Sequence, residues 1–182
     1  KKTAQSYEPY RYHQLNTGSA RKEEVPAEEP QKQWRKNEKE KPEEFFLVDG
    51  YNIIFAWDEL RALAELNLDS ARDRLMDICC NFQGFHGATL ILVFDAYKVK
   101  GGQRSVQKYH NIYVVYTKEA ETADQYIEKT VHEIGKKHRV TVATSDALEQ
   151  MIIWGDGAVR LSARGFHDAV EAASQRMRET YL

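Results

Sequence analysis

The chain has 182 residues, 42% of them hydrophobic, which is enough to bury one sizeable core but not to support a second independent domain. Its 26 Lys and Arg against 28 Asp and Glu leave a formal net charge of -2, so any contact with nucleic acid must come from a local patch rather than an overall polycation. No apolar run is long enough to span a bilayer and no signal-peptide pattern opens the chain, which excludes a helical membrane span and leaves the cytoplasm as the expected compartment.

All four prolines, Pro9, Pro26, Pro30 and Pro42, precede the first apolar run, in a segment rich in Glu, Lys and Gln. Residues 1–44 therefore read as a charged linker or tail, in which Lys32–Glu40 has the pattern of a short polar helix and Tyr7, Tyr10 and Tyr12 are candidates to dock on the domain. Residues 45–182 read as the domain itself.

The organising stretch is Phe45-Phe46-Leu47-Val48-Asp49-Gly50-Tyr51-Asn52. An apolar run without alternation predicts a strand buried on both faces, as in a parallel sheet covered by helices. It ends in Asp49, at the sheet edge where open α/β folds gather their ligands; the plainer reading of a lone Asp there is a helix cap. Past a turn at Gly50, apolar residues at helical spacing from Trp57 (Leu60, Leu63, Ala64, Leu66) and from about Ser70 (Leu75, Ile78, Cys79, Phe82) predict two helices, the second ended by Gln83-Gly84-Phe85-His86-Gly87. Cys79 and Cys80, the only cysteines, are adjacent within it and cannot readily bridge each other, consistent with a reducing compartment.

Thr89–Phe94 is a second buried strand, again closing on a carboxylate, Asp95. A basic, glycine-containing loop over 98–108 follows, offering Lys98, Lys100, Arg104 and Lys108 to phosphates, flanked by Tyr97 and Tyr109 for stacking on bases. Asn111–Tyr116 is a third strand, and Thr122-x-x-Gln125 is a capping box that opens a helix with Asp124 in its first turn. Arg139–Ala143 is a fourth strand, followed by Thr144-Ser145-Asp146 and a helix over Ala147–Trp154. A short strand, Ala158–Leu161, and a last amphipathic helix from about Ala163 complete the domain. Strands mostly separated by helices predict a three-layer α/β/α sandwich with a largely parallel sheet.

If those strands are parallel neighbours, Asp49, Asp95, Asp124 and Asp146 converge on one cleft. Like charges held close need a cation, and oxygen-only ligation suits Mg²⁺ or Mn²⁺ better than zinc. Asn52 and Ser145 are placed to orient a water or a phosphate oxygen beside it. Rival motifs are missing: there is no Walker A sequence, no Gly-x-Gly-x-x-Gly and no Gly-x-Ser-x-Gly elbow, Gly155-Asp156-Gly157 reads as a tight turn, and the six histidines lack metal-ligand spacing.

The motifs Val48-Asp49-Gly50-Tyr51-Asn52-Ile53-Ile54, Val93-Phe94-Asp95-Ala96, Thr117–Asp124 and Ala143-Thr144-Ser145-Asp146 with Glu149-Gln150, joined by Gly157-Ala158 and Ser162-Ala163-Arg164, closely resemble the YacP-like NYN domains of the PIN-like nuclease group. The resemblance implies a metal-dependent RNA-cleaving fold, with Asp49, Asn52, Asp95, Asp124 and Asp146 in the acidic catalytic pocket, the four aspartates holding metal, and Arg72, Glu121, Ser145 and Arg164 supporting it. It further implies an endoribonuclease acting on mRNA at the ribosome, as one bacterial branch does. Such domains are also found at the C-terminus of translational GTPases resembling ribosomal protection proteins, an arrangement that a charged tether from Lys1 would suit.

The leading expectation is thus a Mg²⁺- or Mn²⁺-dependent endoribonuclease that drives a water onto a phosphodiester. The alternative is a catalytically silent module that binds ribosomes or RNA through the basic loop. A phosphatase on a similar scaffold is disfavoured, because Asp49 is followed by Gly50 and Tyr51 rather than by a second Asp two residues on.

Overall fold

The structure is a computed structural model describing residues 42–96, 105–145 and 157–181. Residues 1–41 of the expected tail over 1–44, most of the basic loop with Tyr97, and Asp146 with the helix over Ala147–Trp154 lie outside the described residues, while Glu44 already belongs to the first strand. Within them, β1 is Glu44–Asp49, α1 Gly50–Ala56, α2 Asp58–Leu66, α3 Leu68–His86, β2 Thr89–Phe94, β3 Ser105–Tyr109, β4 Ile112–Tyr116, α4 Ala123–Ile134, β5 Arg139–Ala143, β6 Val159–Leu161 and α5 Ala163–Tyr181.

These strands form one sheet in the order β3-β4-β2-β1-β5-β6, parallel except for the β3–β4 hairpin at one edge. β1 lies in the middle, pairing with β2 on one side and β5 on the other. Its unbroken apolar run follows from that position. Phe46 and Val48 pack into the core shared with α1, α2, α3 and α5, whereas Phe45 and Leu47 pack into the core shared with α4. The result is the three-layer α/β/α sandwich read from the sequence. Phe45, Leu47, Leu92, Ile91 and Phe166 are fully buried. Each such side chain contributes roughly 1.5–3 kcal/mol by leaving water.

Two elements differ from the sequence reading. The chain does not simply turn at Gly50; it enters helix α1 at once, burying Tyr51, Ile53 and Ile54. That tight entry needs glycine, since a Cβ on Gly50 would lie 2.3 Å from Phe94 Cε1 and 2.9 Å from the Val93 carbonyl oxygen. The other difference is Ser105–Tyr109, read as the end of a loop because of its basic residues, which pairs with β4 from Ser105↔Tyr116 to Tyr109↔Ile112. Val106 goes into the core, and Tyr109 hydrogen-bonds Asp77 Oδ1 through its hydroxyl at 2.7 Å, so alternating burial outweighs the charge.

The helix boundaries follow local chemistry. Asn67 caps α3 by accepting from the Ser70 N–H, and Gly87 ends it in the left-handed conformation at φ 83°. The capping box at α4 is complete: Thr122 Oγ1 accepts from Gln125 N–H and Gln125 Oε1 accepts from Thr122 N–H. Cys79 and Cys80 are both free thiols. Among the described residues, no helix is long and apolar enough to cross a membrane.

Candidate active site at the carboxyl edge of the sheet

Parallel register fixes which residues meet at the carboxyl edge. Asp49 is level with Val93, so Asp95 lies two residues beyond it on the neighbouring strand path. Val48 is level with Ala143, which sets Thr144 and Ser145 at the same edge on the other side. Asp124 arrives from above in the first turn of α4. Three aspartates from three segments, of the four that the sequence reading places in one cleft, thus share one end of the sheet.

Asp49 is the innermost, at 2% exposure. It stands at the N-cap position of α1, yet its side chain makes no capping hydrogen bond. Its Oδ2 instead accepts from Asn52 Nδ2 at 2.7 Å, one helical turn on, and Asn52 Oδ1 in turn accepts from Ser145 Oγ at 3.1 Å. Burial raises the Asp49 carboxyl from 3.8 to about 7; the Asn52 hydrogen bond pulls it down, and the charges of Asp124 and Asp95 push it further up. A carboxylate that its surroundings disfavour in this way is a mark of functional sites.

Asp95 is held differently. Its Oδ1 accepts from the Ala123 N–H at 2.7 Å, the first orphan donor of α4, so one carboxylate ties β2 to the helix that carries Asp124. Bonded to the backbone next to it is Thr117, fully buried, which the sequence reading did not single out as a site residue. Thr117 Oγ1 accepts from Ala96 N–H at 3.0 Å and donates to the Glu121 carbonyl at 2.6 Å, while its own N–H donates to Phe94 O. It therefore fixes the backbone on both sides of Asp95. The signal was available: Thr117 directly follows β4, the position rule that picked out the aspartates.

The supporting residues divide. Ser145 joins the site through Asn52. Glu121 contributes its backbone carbonyl to Thr117. Arg72 donates to the Tyr51 hydroxyl at 2.9 Å and pairs with Asp69, so it braces the aromatic wall formed by Tyr51, Phe55 and Phe94. Burial raises the Tyr51 hydroxyl, Arg72 beside it lowers it, and Tyr116 and Asp95 raise it further. Arg164 is exposed in the first turn of α5. Lys108 is not at this edge. It pairs with Tyr113, three residues before Tyr116 along β4, and its ammonium lies 5.9 Å from the Tyr113 ring centroid, toward the amino end of the sheet. Lys98, Lys100, Arg104 and Asp146 are outside the described residues.

No group of three or more His, Cys, Asp or Glu among the described residues closes on a point as metal ligands. The donors at hand still fit one kind of ion. Mg²⁺ keeps several waters and takes only one or two protein carboxylates, all-oxygen ligation matches Asp49, Asp95 and Asp124, and the raised Asp49 carboxyl is what a nearby cation would relieve.

Fold and site together define an α/β/α domain whose carboxylates gather on the carboxyl edge of a parallel sheet. The YacP-like NYN domain model matches residues 46–182, and this chain belongs to that family. It is similar to the uncharacterized protein YacP of Bacillus subtilis (strain 168), at 42% identity over 135 residues, covering 74% of this chain and 79% of the relative. It is similar also to the crystal structure of Rae1 (YacP) from Bacillus subtilis, with TM-score 0.65, 40% identity, and 75% and 79% of the two chains covered. A single-substitution mutant of Rae1 gives TM-score 0.66, with 38% identity and 75% and 80% coverage.

Proposed function

We propose that this chain is a divalent-cation-dependent endoribonuclease acting on mRNA at the ribosome, in the cytoplasm. The observation that carries the reading is the buried Asp49 carboxyl, raised to about 7 beside Asp95 and Asp124 and held by Asn52. Such a group costs stability unless it serves a ligand. Family membership supports the reaction class, and the resemblance to the ribosome-associated branch supports the substrate.

Asp49, Asp95, Asp124 and Asp146 would hold Mg²⁺ or Mn²⁺, which when bound supplies positive charge against the phosphodiester and acidifies the attacking water. The chain's own residues do the rest. Asn52, locked between Asp49 and Ser145, orients the attacking water or a phosphate oxygen. Asp95, pinned to the start of α4, holds Asp124 at the cleft. Lys98, Lys100 and Arg104 would supply sequence-independent grip on the RNA backbone. Residues 1–41 would act as a tether that carries the domain to its site of action, since Glu43 is already hydrogen-bonded to His138 and Arg139 and Glu44 opens β1.

The test is cleavage of a translated mRNA on ribosomes with Mg²⁺ or Mn²⁺, comparing wild type with Asp49→Asn and Asp95→Asn. Cutting by wild type alone, with ribosome or RNA binding retained by the variants, is expected. Equal turnover by variant and wild type would sink the assignment, and binding without cleavage by any form would point to the silent module.

A further inference from the structure

Beside the aspartates lies a second cavity, of about 670 Å³, between the α1–α2 junction and the β6–α5 junction. That volume lies within the range of small-molecule sites. Its walls include Trp57, Ser145, Arg160, Ser162, Arg164 and His167. Two acidic residues, Asp58 and Glu59, also border it, but each has a cation of its own: Asp58 Oδ1 lies 2.6 Å from Arg61 Nη2, and Glu59 Oε1 lies 3.6 Å from Arg74 Nε. Among the described residues, Arg160 and Arg164 are thus the arginines that the cavity has to offer.

Arg160 is the unusual member. It sits in the three-residue strand β6, level with Val142, and its Nε is buried with no hydrogen-bond partner among the described residues. A buried unpaired donor on a permanently charged group is costly, and an anion paired with the Arg160 guanidinium in the cavity that it lines would offset that cost. Arg164 breaks a local rule as well, since a cation in the first turn of a helix opposes the macrodipole and α5 has no acidic residue there to offset it. Ser162 caps that helix through its Oγ, which accepts from the Gly165 N–H at 3.0 Å. The floor is rigid: Trp57 is buried, donates its indole N–H to the Ala163 carbonyl at 2.8 Å, and meets the His167 ring edge-on with centroids 5.0 Å apart.

The cavity communicates with the aspartates. Ser145 forms part of its wall and donates to Asn52, which donates to Asp49. Only two hydrogen bonds separate the cavity wall from the candidate catalytic carboxylate.

We infer that this cavity is an RNA subsite, in which Arg160 and Arg164 take a backbone phosphate next to the scissile one and the exposed His167 ring offers a face to the attached nucleotide. The inference rests on the endoribonuclease reading for its substrate class. The geometry explains why cations gather here while carboxylates gather one step away: the acidic pocket alone would repel the strand it has to cut. Flexible single-stranded RNA is held by such cationic grooves with adjacent rings.

The test is binding of a fluorescein-labelled single-stranded oligoribonucleotide to the full chain in EDTA, read by anisotropy across salt concentrations, for wild type, Arg164→Ala, Arg160→Met and Lys137→Ala. Arg164 is exposed, so its variant keeps the fold; Arg160→Met keeps the apolar stem. Each of the two is expected to weaken binding about 5- to 10-fold and to lower the salt slope by about 0.7, the value for one lost phosphate contact on a single strand. Lys137→Ala is expected to bind as wild type does. The Trp57 indole N–H resonance is expected to move when the oligonucleotide is added to wild type. Unchanged affinity and salt slope in both arginine variants would overturn the subsite. Because the measurement needs neither metal nor turnover, absence of cleavage would count against the proposed activity without touching this result.

Discussion

Replacing Asp49 by Asn should stabilise the protein at alkaline pH and not at acid pH. The folded carboxyl is raised from 3.8 to about 7, first by burial and then by the charges of Asp124 and Asp95, against the lowering by Asn52. Its folded pKa therefore lies above the unfolded one, and the folded state holds the extra proton. Stability is fully present below about pH 4, falls as pH rises toward 7, and is lowest above that. A difference of about 3 units at 1.36 kcal/mol each corresponds to a penalty of about 4 kcal/mol at pH 8. Asparagine removes the charge and keeps an oxygen for Asn52 Nδ2, but it introduces a buried amide donor costing about 1–3 kcal/mol. The net gain is then about 1–3 kcal/mol at pH 8, or a melting temperature higher by about 3–10 °C for a chain of this size. Thermal unfolding followed by circular dichroism in EDTA at pH 5 and pH 8 measures it. A difference between variant and wild type that is the same at both pH values would refute the argument, because only an ionising, desolvated carboxylate makes the effect depend on pH.

Adding Mg²⁺ at pH 8 should raise the melting temperature of wild type by the equivalent of about 2.7 kcal/mol at a hundredfold excess over Kd, and Asp49→Asn should lose most of that response in the same assay. Gly50→Ala forces a methyl into Phe94 and the Val93 carbonyl, and should cost about 1–3 kcal/mol in urea unfolding with a matching loss of activity, since the displaced backbone carries Asp49. Thr117→Val keeps the shape but removes the partner of the Ala96 N–H, for an expected loss of about 1–3 kcal/mol; amide exchange at Ala96 and Ala123 should accelerate. Trp57→Phe loses the buried bond to the Ala163 carbonyl, and denaturant unfolding should show a loss of about 1–3 kcal/mol.

The sequence by itself determined the layers and most of the elements. Two-sided apolar runs such as Phe45–Val48 point to central parallel strands, and the Thr122–Gln125 box opens α4 because its chemistry is local. It also carried the motif that identifies the family, and with it the aspartates at the strand ends. What it could not decide were matters of distance between segments remote in the chain. Ser105–Tyr109 became a strand only because β4 lay beside it to share hydrogen bonds, and that pairing drew Lys108 away from the edge where the aspartates meet. Gly50 could be known as indispensable only once Phe94 was seen to fill the space of its missing side chain. Thr117 carries only its position after β4 as a signal and Arg160 carries none; their roles arise from Ala96 and Glu121 around the one, and from a cavity where no described residue partners Nε around the other. Charge repulsion and desolvation depend on separation and burial, so the raised carboxyl of Asp49 is a property of the assembled sheet, which residue order alone cannot express.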